Sequence, residues 1–325
     1  MRLMKLDLRH RTACVSLALL LLAPLRAQEA SSSLYGQAAT MLLDRSFPST
    51  LIEYLLLDVR TRQILAVRWP NAELPIPVGS LLKPFVALAY GEVHAGTYSS
   101  SSFSPSRQFP VLHCRGKRDG CWREGGHGSV ALEQAIAESC NAYFLALARD
   151  LSASGTGSGS GDGLVAIDRV SAAYGLPAPP PDSITGQGEL RIPRMLIGVT
   201  PEWRISPIAL AHAYATLAAQ SQSAFTSRLL RGMKLAAGPG GTASKVGRHP
   251  GGVLAKTGTA PCVPGADPDS GRCVANGDGL VVVLSPAENP ELLLLVRQRG
   301  TTGAQTAEVA GQMLSRLEGN HASAR

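Results

Sequence analysis

The chain has 325 residues, with 31 Lys and Arg residues against 24 Asp and Glu residues and a pI of about 9.3. Five of the basic residues and one acidic residue fall within residues 1–27, so the rest of the chain is close to neutral. No basic stretch interleaves with aromatic residues, which argues against nucleic-acid binding. The length suits one large domain or two small ones.

The first segment has the layout of a secretory signal peptide. Four basic residues lie within the first eleven positions, an apolar run extends from Ala13 to Leu25, and small residues follow. The apolar run has 13 residues, fewer than the roughly 20 that a spanning helix needs. We expect cleavage after Ala27 and a secreted or periplasmic protein. An uncleaved segment that anchors the protein in the inner membrane is the alternative.

The remaining residues predict a strand pair, then helices, then three strands and a final helix. One antiparallel sheet built from both chain ends, with an all-helical insertion, is the most economical assembly of this order. We assign residues 28–49 to an N-terminal extension, 50–318 to the domain and 319–325 to a C-terminal tail. The expected elements are a hairpin over 50–69, a buried helix over 80–93, a loop over 99–128, two helices over 129–151, helices over 164–176 and 207–219, a strand over 251–260, a hairpin over 279–300 and a last helix over about 307–317.

Five cysteines follow the expected cleavage point, and four of them form two pairs that are close in sequence. The pairs are Cys114 with Cys121 and Cys262 with Cys273, each in a loop rich in glycine or proline. In an exported protein this spacing indicates two local disulfides, with Cys140 as a small buried residue. Free thiols or a zinc site are the alternatives. Zinc is disfavoured because neither pair has the tight C-x₂₋₄-C spacing, so we expect no metal.

The helix expected over residues 80–93 begins with Ser80 and Lys83, the Ser-x-x-Lys of this chain. Residues three apart share one face of a helix, so the lysine amine would lie beside the hydroxyl. A buried amine near another cation has a lowered pKa and can accept the serine proton. An arginine could not do so, because guanidinium stays protonated in proteins. An ordinary helix N-terminus is the alternative interpretation of this motif.

A second lysine, Lys256, lies in an expected strand and precedes Thr257, Gly258 and Thr259. The two threonines would project from one face of the strand, and the glycine would leave room for a ligand or backbone. Hydroxyl groups and a cation in this arrangement could bind a carboxylate. An edge strand with surface threonines is the alternative.

Ser139 and Asn141 form a Ser-x-Asn where the two helices over 129–151 meet. The serine could relay a proton and the asparagine amide could hold a peptide group, although helix caps use the same residues. Each of the three motifs is weak when taken alone. They occur in the order Ser-x-x-Lys, Ser-x-Asn, Lys-Thr-Gly, and this set is typical of class A β-lactamases and penicillin-binding proteins.

The chain resembles the transpeptidase domain of class B penicillin-binding proteins, especially the cell-elongation type, over nearly all of residues 50–318. "PVGSLLKPF" is similar to the Pro-Gly-Ser-x-x-Lys-Pro-Phe of that family, and "CWREGGHGSVALEQAIAESCNAYF" is similar to the segment that leads into its Ser-x-Asn. "IGVTPEWRISPIALAHAYATLA" resembles the helix before the Lys-Thr-Gly strand. The resemblance implies an α/β (α+β) fold, in which helices flank a five-stranded antiparallel sheet and form an all-helical subdomain, as in serine β-lactamases.

The resemblance also implies a role for each matching residue. Ser80 would be the acylated nucleophile and Lys83 its general base, while Ser139 would shuttle a proton. The Ser80 and Thr259 N–H groups would form the oxyanion hole. The remaining residues would bind substrate: Asn141 the peptide, and Lys256, Thr257 and Thr259, with Gly258 between them, the terminal carboxylate. His127 is expected to be structural, since it lies in a Gly-rich loop without a clear partner.

By this resemblance the chain would be a D,D-transpeptidase or carboxypeptidase that acts on peptidoglycan stem peptides ending in D-Ala-D-Ala, binds β-lactams and needs no cofactor. Two alternatives remain open. One is a β-lactamase of the class D kind, and the other is a β-lactam-binding sensor or scaffold that acylates without turnover. Cell-wall synthesis proteins are expected partners, and the sequence does not indicate an oligomeric state.

Overall fold

A five-stranded antiparallel sheet forms the centre of the computed structural model. The structure describes residues 34–95, 109–153, 162–181, 191–261 and 277–323. The expected signal peptide and the Cys262/Cys273 pair lie outside these residues. The strands of the sheet are β1 (Ile52–Asp58), β2 (Ile64–Arg68), β7 (Leu254–Ala260), β8 (Asp278–Ser285) and β9 (Leu292–Arg299). Their order across the sheet is β2-β1-β9-β8-β7, so β2 and β7 are the edge strands.

Helices cover both faces of this sheet, and two short two-stranded ribbons accompany them. The ribbons pair β3 (Ile76–Pro77) with β6 (Arg204–Ile205) and β4 (Leu112–Cys114) with β5 (Gly128–Val130). Among the described residues, no helix is both long and apolar enough to cross a membrane. The helices are α1 (residues 34–46), α2 (Lys83–Ala95), α3 (Leu132–Ala137), α4 (Asn141–Ala153), α5 (Asp162–Ala173), α6 (Arg191–Leu196), α7 (Pro207–Ala219), α8 (Ala224–Ala237) and α9 (Gly303–Ser323).

The strands read as continuous apolar runs because both faces of the sheet are buried. In β8, Leu280 and Val282 contribute to one hydrophobic core, whereas Val281 and Val283 contribute to the other. Successive side chains of a strand point to opposite faces, so neither set has to be polar. The sheet built from both chain ends and flanked by helices confirms the expected architecture.

The two cores contain different helices. On one face, Phe85 of α2 packs edge-on against Tyr214 of α7 and Tyr174, with ring centroids 5.4 and 5.5 Å apart. On the other face, Leu43 of α1 and Met313 of α9 are fully buried. The helix α1 lies in the segment assigned to the N-terminal extension, yet it packs into the same core as strand β1.

The helices α1 and α6 and the β3–β6 ribbon were not expected, and the structure differs from the sequence-based expectation in three further places. The expected loop over residues 99–128 contains β4 and the start of β5, which are only three residues long. The helix α8 was not expected, because its buried face includes Thr226 and Arg228 and so breaks the apolar periodicity. The helix α9 begins at Gly303 rather than near residue 307, because its first turn is polar and carries no apolar signal.

Candidate active site

Ser80 lies in a 3₁₀ turn, Gly79–Leu82, that leads directly into α2. Ser80 is half-buried and Lys83, at the first position of α2, is completely buried. The buried hydroxyl of Tyr214 in α7 donates a 2.8 Å hydrogen bond to the Leu81 carbonyl. This bond anchors the turn to the helical layer. Pro84 is tolerated because an N–H in the first helical turn has no intrahelical acceptor.

The turn lies directly against strand β7, and two glycines allow the approach. Gly79 has a φ of +58°, and a Cβ on it would lie 2.4 Å from the Thr259 carbonyl oxygen. A Cβ on Gly258 would lie 2.6 Å from the Val78 carbonyl oxygen. The two backbones therefore meet without intervening side chains, which places Ser80 beside the edge strand of the sheet.

We expect Gly79→Ala to destabilise the protein far more than Gly240→Ala. Both glycines have positive φ, so both substitutions carry a backbone cost of about 1–2 kcal/mol. Gly240 has nothing within 4 Å of its Cβ position, whereas a methyl at Gly79 would overlap the Thr259 carbonyl and cost roughly 1–3 kcal/mol more. Thermal or denaturant unfolding measures the difference, and equal losses would refute the close approach of the two backbones.

Ser139 occupies a strained backbone position between α3 and α4, with a φ of +51°. The left-handed region costs about 1–2 kcal/mol for a residue other than glycine, and such positions concentrate at functional sites. This turn directs the Ser139 hydroxyl towards both buried lysines. Its Oγ accepts hydrogen bonds from Lys256 Nζ at 2.9 Å and from Lys83 Nζ at 3.2 Å.

The Lys83 amine donates to three acceptors. They are the Ser139 carbonyl at 2.7 Å, the Ser139 Oγ and the Asn141 Oδ1 at 2.6 Å. Burial lowers the pKa of Lys83 to about 7, although the neighbouring Cys140 acts in the opposite direction. A neutral amine has only two N–H bonds, so deprotonation must release one acceptor and expose a lone pair. Within the described residues, no hydrogen bond joins Lys83 to Ser80.

Lys256 is completely buried on strand β7 and donates to the Thr257 carbonyl at 2.7 Å as well as to Ser139. Burial lowers the pKa of Lys256 well below its usual value, and the charge of Lys83 lowers it further. An anion bound at this lysine would reverse that effect, because an opposite charge favours the protonated amine. Lys256 is therefore suited to bind an anionic group at the edge of the sheet.

The two threonines of strand β7 differ in their availability. Thr257 is buried, and its hydroxyl donates to Thr242 Oγ1 at 2.8 Å. Thr242 in turn donates to the Ala137 carbonyl at 3.1 Å, so it ties β7 to the end of α3. Thr259 is exposed, and its Oγ1 accepts from the Gly303 N–H at 3.0 Å. The O–H of Thr259 therefore remains available to donate to a ligand.

The structure brings Ser80, Lys83, Ser139, Asn141 and Lys256 to one place, with Thr257, Gly258 and Thr259 along its edge. Sequence reasoning did not find Thr242 or Tyr214, which hold β7 and the Ser80 turn in position. Neither residue belongs to a motif, and only tertiary contacts identify them. Beside the site, His127 N–H donates to the Cys114 carbonyl at 3.0 Å, so this loop packs against the β4–β5 ribbon.

Three cysteines and one histidine lie together next to the Ser139 turn. Cys114 and Cys121 are joined by a disulfide, and Cys140 is a free buried thiol. The side-chain ligand atoms of these residues and of His127 all lie within 4.8 Å of one another. Burial lowers the pKa of His127, although the nearby Glu138 acts in the opposite direction, with its Oε2 at 3.5 Å from His127 Nε2. Neither ring nitrogen forms a hydrogen bond in the described part of the chain.

Three thiolates and a neutral imidazole are a ligand set that suits Zn²⁺. Cys114, Cys121, His127 and Cys140 could therefore hold a metal ion, but only with the first two cysteines reduced, because a disulfide sulfur is not a thiolate. Spacing alone favoured a disulfide for Cys114 and Cys121. The structure adds that His127 and Cys140 converge on the same point. Only the metal-bound form would link the β4–β5 ribbon to Cys140, the residue that follows Ser139, because the disulfide joins Cys114 to Cys121 alone.

Solved structures with the same fold include the TP domain of penicillin-binding protein 3 from Burkholderia pseudomallei, at 16% identity and a TM-score of 0.62, covering 91% of this chain and 94% of that one. Pseudomonas aeruginosa PBP2, solved in complex with WCK 5153, has 20% identity and a TM-score of 0.61, covering 86% of this chain and 76% of that one. Helicobacter pylori PBP2 in complex with MreC has 15% identity and a TM-score of 0.64, covering 86% of this chain and 62% of that one.

No family model and no curated protein matches the sequence. The structural similarity nevertheless extends over most of the chain in each comparison. It confirms the fold that the sequence motifs implied, a five-stranded antiparallel sheet flanked by helices. At these identities the comparisons establish the fold alone, and the chemistry has to be argued from the residues of the site.

Proposed function

We propose that this chain, which has the fold of penicillin-binding protein transpeptidase domains, is a serine D,D-transpeptidase or carboxypeptidase that acts on peptidoglycan stem peptides. The observation that carries the proposal is the position of Ser139 Oγ. It lies within hydrogen-bonding distance of both Lys83 and Lys256, beside the turn that carries Ser80. Residues from three short motifs far apart in the chain thus form one connected hydrogen-bond network, which supports a role in proton transfer.

Acylation begins with Ser80, whose Oγ attacks the carbonyl carbon of the penultimate residue of the substrate. Its proton passes to the neutral amine of Lys83, and the carbonyl electrons move to the oxygen. The Ser80 and Thr259 N–H groups donate to that oxyanion, which is the stabilisation that acyl transfer needs most. The lowered pKa of Lys83 supports this role, because a base with a pKa near the working pH transfers protons efficiently.

The leaving amine takes its proton from Ser139 as the carbon–nitrogen bond breaks. Ser139 Oγ accepts from two lysines, so its own O–H remains free to donate. Lys83, which was protonated by Ser80, then returns a proton to Ser139. Lys256 and the O–H of Thr259 would bind the terminal carboxylate of the leaving residue. The result is an ester on Ser80, which an amine or a water molecule later attacks.

Mass spectrometry with a fluorescent penicillin tests the proposal. We expect a stable penicilloyl ester on Ser80, formed by opening of the β-lactam ring and retaining the full mass of the penicillin, and turnover of a D-Ala-D-Ala pentapeptide by the same protein. Rapid release of penicilloate would instead identify a class D-like β-lactamase. A stable adduct without any peptide turnover would identify a sensor or scaffold. The site assignment is wrong if no adduct forms or if the label is on another residue.

The rate of acylation should depend on pH through Lys83. Burial lowers the pKa of this amine to about 7, and only the neutral form accepts the serine proton. The rate should therefore be low below about pH 6, rise through about pH 7 and level off above about pH 8. Stopped-flow labelling with a chromogenic cephalosporin measures this profile. A rate that falls as the pH rises through this range would exclude Lys83 as the base.

We further propose that the protein is exported by residues 1–27, since peptidoglycan is assembled outside the cytoplasm. The basic residues and the apolar run of this segment support this proposal. Proteins of cell-wall synthesis are the proposed partners, by analogy with the PBP2–MreC complex of Helicobacter pylori. N-terminal sequencing of the mature protein and co-purification from envelope extracts would test the two proposals.

A further inference from the structure

A groove of about 650 Å³ extends from the candidate active site and is lined by several cations. We call it the basic groove and define it by Lys117, Arg118, Arg149 and Arg194, together with Asn141 at the active site. Asn141 also accepts a hydrogen bond from Lys83. The groove therefore begins at a residue of the reaction network and is not a separate cavity elsewhere on the molecule.

One wall of the basic groove is the face of α4 that includes Asn141, Leu145 and Arg149. These residues are four apart, so they lie on the same side of the helix. Each residue of an α-helix adds about 1.5 Å, so Arg149 lies roughly 12 Å along the axis from Asn141. That length corresponds to about three or four residues of an extended peptide. Arg149 is exposed at the far end of the groove.

The other walls carry the remaining cations. Arg194 of α6 is exposed in the segment that continues to Gly198, where a Cβ would lie 2.1 Å from the Gly79 carbonyl oxygen. Lys117 and Arg118 lie in the short loop closed by the Cys114–Cys121 disulfide. The segment that carries Arg194 is therefore held against the Ser80 turn, and the loop that carries Lys117 and Arg118 is held by the disulfide.

The basic groove carries more positive charge than its own acidic residues neutralise. Among the described residues that line it, Asp119 is the one carboxylate, and it accepts a hydrogen bond from the Arg115 N–H at 2.7 Å. Lys117 lies 3.8 Å from the exposed Glu124. Within the described part of the chain, no carboxylate forms an ion pair with Arg118, Arg149 or Arg194. Three guanidinium groups are thus free to bind an anion.

We propose that the basic groove is a subsite for the carboxylate groups of the stem peptide, with Arg149 and Arg194 as its specificity-determining residues. This inference rests on the proposed function. Guanidinium binds carboxylate through paired, charge-assisted hydrogen bonds, which makes arginine the suitable cation here. The carboxylate could belong to the acyl donor or to the amine acceptor. In either case, a peptide in which that carboxylate is an amide would lose the interaction.

Steady-state kinetics with two matched peptides tests the donor side. One is a D-Ala-D-Ala peptide with a side-chain carboxylate upstream of the scissile bond, and the other carries a carboxamide at that position. We expect the double variant Arg149→Gln/Arg194→Gln to raise KM for the carboxylate peptide about tenfold and to leave KM for the carboxamide peptide unchanged. The difference between the peptides should shrink as salt is raised, because exposed charges are screened.

Partitioning of the acyl-enzyme tests the acceptor side. The acceptors are two matched peptide amines, one with a side-chain carboxylate and one with a carboxamide in its place, and both keep the α-carboxylate that Lys256 and Thr259 would bind. The ratio of aminolysis to hydrolysis measures how well each acceptor is bound. If the acceptor supplies the carboxylate, the double variant should lower that ratio about tenfold for the carboxylate peptide and not for the carboxamide peptide. The matched control is Arg316→Gln, which removes an exposed arginine from α9 on the opposite face of the sheet.

The two proposals can fail separately. A wild-type protein that is not labelled on Ser80 by penicillin would overturn the proposed function itself. A labelled and active wild type that treats carboxylate and carboxamide alike in both assays would overturn the basic groove as a carboxylate subsite. Equal losses for both peptides in the double variant would also overturn it, because such losses would reflect a structural effect of the substitutions.

Discussion

Replacing Lys83 with arginine is expected to slow acylation of Ser80 by penicillin about a thousand-fold. General-base catalysis contributes roughly 10²–10⁴-fold, and guanidinium cannot be deprotonated near neutral pH. Lys83 is suited to the task because burial lowers its pKa to about 7. Arginine would preserve the positive charge and the donors to the Ser139 and Asn141 oxygens, while it would remove the base. Stopped-flow labelling and mass spectrometry of Ser80 measure the result.

Lys83→Met separates the loss of the base from the loss of the charge. Methionine fills a similar volume but leaves the oxygens of Ser139 and Asn141 without their donor, at a cost of about 1–3 kcal/mol in stability. We expect the same loss of labelling as for arginine. The control is Lys234→Met, an exposed lysine that pairs with Glu288 and should label at the wild-type rate. Wild-type labelling by both Lys83 variants would show that another group is the base.

The sequence predicted which residues belong to the candidate site better than it predicted their geometry. The motifs around Ser80, Ser139 and Lys256 each occur at a recognisable spacing, so the residues could be chosen without a structure. The left-handed conformation of Ser139 could not be predicted, because the residue is not a glycine and the lysines that its side chain contacts lie far away in the sequence. Thr242 could not be predicted either, because it belongs to no motif and acts by joining Thr257 to the distant Ala137 carbonyl.

The fold was predictable where the burial pattern is simple. The apolar runs of β8 and β9 indicate a sheet buried on both faces, and α7 begins at a proline and ends as the apolar pattern does. The pattern fails for α8, where Arg228 is buried because its Nε donates to Glu133 at 2.7 Å. A charged residue whose partner is 95 positions away looks like a surface residue in the sequence.

The cysteines show a similar limit. Their spacing identifies Cys114 and Cys121 as neighbours, because a short loop can bring the two thiols together. It contains no information that His127 and Cys140 converge on that pair, because their approach depends on how the β4–β5 ribbon packs against α3 and α4. The sequence indicates which residues of one short segment can react with each other. Only the tertiary structure shows which residues of different segments lie close together.

Removing the Ser139 hydroxyl should have the second large effect on acylation. Its Oγ accepts from Lys256 at 2.9 Å and from Lys83 at 3.2 Å, and we expect Ser139→Ala to slow labelling of Ser80 about a hundred-fold. A hydrogen bond to the charged form of a lysine favours that form. Losing the acceptor should therefore lower the pKa of Lys83 further, and the midpoint of the pH–rate profile should move to lower pH.

Ser139→Gly distinguishes the hydroxyl from the backbone. Glycine also lacks the hydroxyl, but it adopts the φ of +51° without the cost of about 1–2 kcal/mol that alanine incurs there. We expect the glycine variant to unfold at a higher temperature than the alanine variant and to show the same slow labelling and the same shift in pH midpoint. If the glycine variant labelled at the wild-type rate, Ser139 would contribute only its backbone geometry. An unchanged or higher midpoint in both variants would show that its oxygen does not act on Lys83.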